Sequence, residues 1–156
     1  MTERRIKDEP ATANRSARLV GGVLGVGLMG AADEILFHQL LQWHNFYVHS
    51  TDYWRVASDG FFHLFTATLL GLAVFLLWRQ RRRFSTLTSS RPFWSGIFLG
   101  AGGFQLFDGV VNHKLLQLHP VREGAQNILL YDLGWIVSGL LFLYCGWLLW
   151  RSRAPN

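Results

Sequence analysis

Two copies of one short pattern carry the side chains best suited to chemistry in this sequence. In each copy an Asp is followed by a His at the fifth position after it and by a second His at the eleventh. The copies stand seventy-five positions apart and consist of Asp33, His38 and His44, then Asp108, His113 and His119. Carboxylate and imidazole groups are costly inside apolar segments and are usually functional there, and both are ligands of transition metals. The pattern predicts a duplicated unit that builds a polar site within a membrane.

Spacing within the helices decides which of these groups can face one centre. Asp59 and His63 are four residues apart and share one face of an α-helix, a common spacing of metal ligands. Glu34 and His38 form a second such pair. Asp33 and His38 are five residues apart, so they diverge by roughly 140° on an ideal α-helix. We expect this pair to reach one centre only through a bulge, or if one of them acts on a neighbouring helix.

Depth in the membrane brings further acidic groups to the same layer. With a rise of about 1.5 Å per residue, every predicted spanning helix contributes an Asp near the outer surface, and all six His lie in that layer or in the loops above it. Asp132 has no His one turn later, because Ile136 holds that position, so the halves are not equivalent. The predicted metal ligands are Asp33, His38, Asp59, His63, Asp108, His113 and Asp132, with Glu34, His44 and His119 as additional candidates.

Four apolar segments must position these residues. Each is long enough to cross the roughly 30 Å hydrocarbon core as a helix, and they cover about residues 19–43, 58–78, 92–115 and 127–150. The sequence therefore predicts an all-α membrane protein, with a four-helix transmembrane domain over residues 18–151. Residues 1–17 are polar and charged and are expected to form a disordered cytoplasmic tail, and residues 152–156 a short cytoplasmic tail.

Composition and charge agree with a membrane protein. Half of the residues are hydrophobic and 16% are charged, against about 25% in globular domains. The Lys and Arg residues that give a net charge of +5 concentrate before the first segment, between residues 79 and 91, and after the last segment. By the positive-inside rule both termini are expected on the cytoplasmic side of the bacterial inner membrane. This distribution argues against nucleic acid as a partner and for the lipid bilayer, and leaves another membrane protein or a second copy of the chain open.

The duplication predicts how the segments are arranged. Each copy is a helical hairpin, and both hairpins have the same orientation in the membrane. Such parallel repeats imply a pseudo-two-fold axis along the membrane normal. Glycines stand four residues apart in the first and third segments, at Gly21 and Gly25 and at Gly96 and Gly100. This spacing lets helices approach closely, so we expect these glycines to pack between helices.

Three motifs together resemble a known bacterial family. They read D-x4-H-Q-x-L-Q-W-H from Asp33, R-V-x-x-D-G-x-F-H from Arg55, and D-G-x-x-x-H-x-L-L-x-x-H from Asp108. The family is known only as domain of unknown function 2243, and the resemblance covers roughly residues 19 to 151. It implies a four-span inner-membrane protein and brings no established activity. The chain departs from the family pattern at Glu34, where Gly is common, and at Asn45 and Lys114, where a second His often stands.

The site favours binding of a transition metal ion, for metal handling or for maturation of a membrane metalloenzyme. Histidine and carboxylate ligands suit Zn, Fe, Mn or Cu(II), and the identity of the metal stays open. A metal-dependent membrane hydrolase is an alternative, in which Glu34 or an Asp acts as general base on metal-bound water. The same groups could also form a metal-free proton or ion-pair network or, with paired His ligands, a haem-binding electron-transfer protein. Whether the protein is an enzyme stays open, and no catalytic residue is assigned.

Overall fold

The computed structural model describes the backbone of residues 2–151 and the side chains of residues 12–151, and over this part of the chain the fold is helical without β strands. The α-helices are α1 (Thr2–Asp33), α2 (Asp52–Arg79), α3 (Phe84–Thr88), α4 (Arg91–Phe107) and α5 (Ile128–Arg151). A first π segment, Glu34–Leu40, continues α1, and a second π segment, Asp108–Leu115, continues α4. A 3-10 turn, Arg81–Arg83, precedes α3. The predicted C-terminal tail, residues 152–156, lies outside the described residues.

Three helical stretches are long and apolar enough to cross a membrane: Thr12–Leu40, Asp52–Arg79 and Ile128–Arg151. The prediction of an all-α protein with membrane helices is confirmed to this extent. Helix α4 has 17 residues and reaches the length of a span only together with the second π segment. A fourth span therefore stays a prediction.

The beginning of the chain differs from the expected tail. Helix α1 begins at Thr2, so residues 2–17 continue the first membrane helix. Ala17 is buried against Leu87 of α3 and Phe93 of α4, and the Ser16 hydroxyl donates to the Gln80 side chain at 3.2 Å. These contacts hold Ser16 and Ala17, the last residues of the predicted tail, against the basic loop (residues 79–91) and α4. The side of the membrane on which this segment lies stays a prediction.

Helices α1 and α4 form the centre of the bundle through their glycines. A Cβ atom added at Gly21 would overlap the carbonyl oxygen of Phe93, and one added at Gly96 would overlap that of Arg18. The predicted close packing of these glycines is therefore found, because the backbones touch where a side chain would stand. The contact is also reciprocal, since Phe93 follows Arg18 by the same seventy-five positions that separate the two glycines.

Each central helix then packs against the other helix of its own hairpin. Helix α2 packs on α1, and α5 packs on α4. The connections within the hairpins are loop 1 (residues 41–51) and loop 2 (residues 116–127), which lie at the same end of the bundle as the two π segments. This arrangement brings the repeated Asp and His residues together at one end. The rotation that would relate the hairpins stays a prediction.

Candidate metal centre

Residues five apart diverge on an α-helix, and in both copies a π segment brings the Asp and the His back to the same side. Leu41 N–H donates to the Leu36 carbonyl at 2.8 Å, and Leu116 N–H donates to the Val111 carbonyl at 2.8 Å. These bonds join residues five apart, whereas an α-helix joins residues four apart, so each segment is wider than an α-helix. The Asp that precedes each segment and the His five positions later can then face the same side. Of the two arrangements considered for this spacing, a bulge is therefore the one present, and it is present in both copies.

A matching turn follows each π segment and brings the second His back to the site. Gln42 and Gln117 both have a φ of 50°, and this left-handed conformation ends the helix in a Schellman-like turn. The next N–H in each case donates at 2.8 Å to a carbonyl six residues earlier, Trp43 to Phe37 and Leu118 to Asn112. The turn places His44 and His119, which come one residue later, beside the helix ends.

The first triad consists of Asp33, His38 and His44. Each residue offers a ligand atom within 4.8 Å of those of the other two. His38 Nε2 lies 3.8 Å from Asp33 Oδ2, and the two imidazole rings have their centroids 4.4 Å apart. All three residues are at most 4% exposed. They belong to α1, the first π segment and loop 1, so one stretch of chain forms the whole triad.

The second triad consists of Asp108, His113 and His119, at the repeat-equivalent positions. Their ligand atoms also lie within 4.8 Å of one another. His113 Nε2 lies 2.8 Å from Asp108 Oδ2, and His119 Nε2 lies 3.8 Å from Asp108 Oδ1. The rings of His44 and His119 stack at 4.4 Å with an angle of 8°. The two triads are therefore neighbours and meet at these stacked rings.

Many ligand atoms of the triads are buried without a hydrogen-bond partner. They are both carboxylate oxygens of Asp33, Oδ2 of Asp108, Nε2 of His38 and His44, and both ring nitrogens of His113 and His119. The contact between Asp108 Oδ2 and His113 Nε2 is short, but its atoms are not aligned as a hydrogen bond requires. Buried polar atoms are nearly always satisfied in folded proteins. Such a concentration at one place indicates a site for a bound group.

The first triad also has the supporting bonds typical of a metal site. His38 Nδ1 donates to Asp59 Oδ1 at 2.9 Å, and Asp59 accepts at 2.6 Å from both the Asn45 side chain and the Phe46 N–H. His44 Nδ1 donates to the Val121 carbonyl at 2.8 Å. A carbonyl can only accept, so Nδ1 of His44 carries the proton. The lone pair of each ring is then on Nε2, the atom that faces the triad.

The two copies differ at the position of Glu34 and in the surroundings of Asp132. Glu34 is 0% exposed and accepts from the Gln39 side chain at 2.9 Å. Gly109 and Lys114 stand at the equivalent positions in the second copy, and Lys114 donates through Nζ to Asp132 Oδ2. Asp132 is thus paired with a cation and belongs to neither triad. The asymmetry that the sequence predicted at Asp132 is present, with Lys114 as an additional reason.

Asp59 and His63 do not form a shared ligand group on α2 in the described part of the chain. His63 is exposed, and none of the candidate ligand groups among residues 12–151 contains it. Asp59 turns towards His38 and can join a group with Glu34 and His38. Sequence reasoning ranked His44 and His119 only as additional candidates, although the repeated spacing to the second His singled them out. Asn45 was noticed only as a departure from the family pattern, and no sequence signal pointed to its contact with Asp59.

The two loop histidines are neutral at neutral pH. Burial, together with the nearby His119 and His38, lowers the pKa of His44 to about 3, against the bond to Val121. Burial also lowers the pKa of His119 to about 4, which Asp108 opposes only in part. Neutral imidazole is the form that binds metal ions. Both loop histidines are therefore in the ligand state at neutral pH.

The loops close over the triads. Val48 N–H donates to the Leu118 carbonyl at 3.1 Å, and Glu123 N–H donates to the Trp43 carbonyl at 2.8 Å. Arg55 adds an ion pair with the Glu123 side chain. These bonds between the loops cover the centre at that end. A separate cavity of about 430 Å³ reaches Asp33 from the flank between α1 and α5.

Comparison with known proteins identifies one family. The family model described as "Predicted membrane protein (DUF2243)" matches residues 20–153. Neither a curated protein nor a solved structure matches the chain significantly.

Proposed function

The chain belongs to this family of predicted membrane proteins, and we propose that it binds a transition metal ion within the membrane at Asp33, His38 and His44. The ion serves metal handling or the maturation of a membrane metalloenzyme. In this proposal α4 and the second π segment form a fourth span, and the protein lies in the bacterial inner membrane.

The proposal rests on one observation, namely that the two ring nitrogens of His38, and likewise those of His44, have different surroundings. In each ring Nδ1 is fixed by a hydrogen bond, to Asp59 in one case and to Val121 in the other. In each ring Nε2 is buried without a partner. Ligand histidines in metal sites have this arrangement, because the outer bond sets the tautomer and orients the ring. Asp33 completes the set with two buried carboxylate oxygens that have no hydrogen-bond partner.

The geometry favours a metal ion over haem and over a metal-free network. Parallel rings of His44 and His119 at a centroid distance of 4.4 Å leave no space between them for a porphyrin. A metal-free network would gain from hydrogen bonds among its own members, since unsatisfied buried groups are costly. Here the unpartnered atoms belong to the residues that would form that network. Two nitrogen ligands and one oxygen ligand suit Zn, Fe, Mn or Cu(II).

The loops support a carrier or storage role more than turnover. Structural and carrier sites can be closed by protein, whereas a catalytic site keeps a position open for water or substrate. Loop 1 and loop 2 are bonded to each other above the triads. An ion held there is shielded from water on that side until another protein or a change in the loops releases it.

Metal analysis of the purified full-length protein tests the proposal. We expect at least one tightly held first-row metal ion per chain after gentle purification in detergent, and loss of that ion in His44→Ala. His63→Ala is the matched control, because His63 is an exposed histidine outside the triads, and it should keep the ion. A wild-type protein that remains free of metal after growth and reconstitution with Zn, Fe, Mn and Cu would contradict the proposal.

The cavity beside Asp33 favours a metal-dependent membrane hydrolase as the second candidate. Its lining is mostly apolar and includes Phe37, Trp135 and Phe142, so a lipophilic substrate could reach the centre from the bilayer. Such an enzyme needs an exchangeable ligand on the metal. Azide should then change the visible spectrum of the cobalt-substituted protein. An unchanged spectrum would support the closed carrier site.

A further inference from the structure

We propose that the chain holds a second metal ion, at Asp108, His113 and His119, so that each copy of the repeated pattern binds its own ion. This inference rests on the proposed function and extends it from one ion to two. The second triad occupies the positions equivalent to the first, and both follow the same backbone pattern of π segment and left-handed turn.

The second triad has the properties of a built site. Asp108 and His119 are each 1% exposed and His113 is 6% exposed, and their ligand atoms lie within 4.8 Å of one another. One oxygen of Asp108 and all four ring nitrogens of the two histidines are buried without a hydrogen-bond partner. The nearest of these atoms, His113 Nε2 and Asp108 Oδ2, are 2.8 Å apart without hydrogen-bond alignment. Two ligands of the same ion have this relation, because both lone pairs point at the metal.

A single ion cannot use both triads. Metal–nitrogen and metal–oxygen bonds are about 2.0–2.2 Å long, so all ligand atoms of one ion must lie close together. Among the side chains of residues 12–151, the groups that meet such a limit each draw their ligands from one copy only. The rings of His44 and His119 stack face to face, one from each triad. Two ions would therefore lie side by side, each with its own ligands.

Charge supports the same number of ions. Asp132 has Lys114 as its partner, and the carboxylates that remain around the histidines are Asp33, Glu34, Asp59 and Asp108. The side chains of Asp33, Glu34 and Asp108 are at most 1% exposed, and that of Asp59 is 13% exposed. Unbalanced charge is strongly unfavourable in such surroundings. Two divalent cations carry four positive charges, which equals the charge of these four carboxylates in their ionised forms.

The two ions should differ in affinity. In the first triad Asp59 accepts from His38, whereas in the second triad both ring nitrogens of His113 are without a hydrogen-bond partner. The outer bond found in the second triad runs from the Asn112 side chain to Asp108, at 2.8 Å. Loss of such an outer bond to a ligand histidine lowers metal affinity by about 10- to 100-fold. The second triad is thus the weaker site and should release its ion first.

Titration of the full-length, metal-stripped protein in detergent with Zn²⁺ tests the inference. We expect the wild type to bind two Zn²⁺ per chain, the second about 10- to 100-fold more weakly than the first. His113→Ala should bind one with the affinity of the tighter site, and His63→Ala should still bind two.

The possible results separate the inference from the proposed function. A wild type that binds one Zn²⁺, with no change in His113→Ala, overturns the second site and leaves the first. A wild type that binds none removes both. If His113→Ala fails to fold, as judged by gel filtration and circular dichroism, the number of ions bound by the wild type decides the question alone.

Discussion

His38 shows how much of the candidate centre depends on single side chains. One ring nitrogen contacts Asp59 at 2.9 Å and Glu34 at 3.5 Å, and the other faces Asp33. Asp59 was predicted as a metal ligand, and in the structure it accepts three hydrogen bonds in total, from His38, Asn45 and Phe46. In the proposal these bonds make Asp59 a residue that orients the His38 ring.

Asp59→Asn tests this positioning role. The substitution keeps the shape but weakens the bond that orients His38, so we expect Zn²⁺ affinity to fall by about 10- to 100-fold without loss of the site. Asp33→Asn, which removes a ligand, should cost more. Competition with a chromogenic chelator measures both. Equal losses in the two variants would instead make Asp59 a ligand.

Lys114→Met tests the ion pair that separates Asp132 from the triads. The substitution leaves a carboxylate that is 7% exposed without its cation, at a cost of about 1–3 kcal/mol in the free energy of unfolding. The double variant Lys114→Met with Asp132→Asn should recover most of that loss. The midpoint of unfolding in sodium dodecyl sulfate measures the change. Wild-type stability of the single variant would show that the pair contributes nothing.

The identities of the central residues could be predicted from the sequence, whereas their partners could not. The repeated spacing singled out both Asp and all four His of the triads. The distinction between ligand and supporting residue depends on the rotamer of each side chain and on which helix it faces. Asn45 and the Val121 carbonyl lie in loops without periodicity, so no pattern connects them with His38 or His44.

At the scale of elements, the π segments and the glycine contact position the triads. The divergence of Asp33 and His38 on an α-helix predicted either a bulge or a role for one of them on a neighbouring helix, and the structure has a π segment there. The glycine spacing predicted a close helix pair, and α1 and α4 form that pair. Helix α1 begins before the predicted first span, and the described contacts of Ser16 and Ala17 there are with Gln80 and Leu87, far away in the sequence.

Gly96→Ala tests whether the α1–α4 contact holds the centre together. The new methyl group would overlap the Arg18 carbonyl, and since backbone atoms cannot rotate away, the helices must separate. Overpacking typically costs about 1–3 kcal/mol, and we expect a lower unfolding midpoint and a reduced Zn²⁺ content. Gly103→Ala is the matched control on the same helix, because nothing lies within 4 Å of its added Cβ. Equal behaviour of both variants would contradict this role of the contact.

The whole molecule is a membrane protein in which the basic loop and the candidate ligands lie at opposite ends of the helices. Arg18, Arg79 and Arg91 lie at the end where α1 meets the basic loop, and the triads lie at the end with loop 1 and loop 2. Membrane helices could be predicted from composition and length alone, since these are properties of the chain and not of its packing. The side of the membrane on which each end lies is predicted only from the charge bias, and no contact between the helices bears on it.

Cysteine labelling tests the predicted sidedness. In a Cys145→Ser background, Ser50→Cys in loop 1 should react with a membrane-impermeant maleimide in intact cells. Arg82→Cys, in the basic loop, should react only after the membrane is opened, because the positive-inside rule places this loop in the cytoplasm. Labelling of Arg82→Cys in intact cells would reverse the topology.

The bonds between loop 1 and loop 2 bear on how fast a bound ion would leave the site rather than on how tightly it would bind. In the proposal, an ion leaves through that end once the bonds between the loops separate, among them those of Val48 with Leu118, Trp43 with Glu123 and Arg55 with Glu123. On that route the residence time of a bound ion would be set by how often the loops part, and it would not shorten when more chelator is added outside. An ion acquired during synthesis of the protein would stay with the same molecule, and a partner that opened the loops would determine when it is delivered.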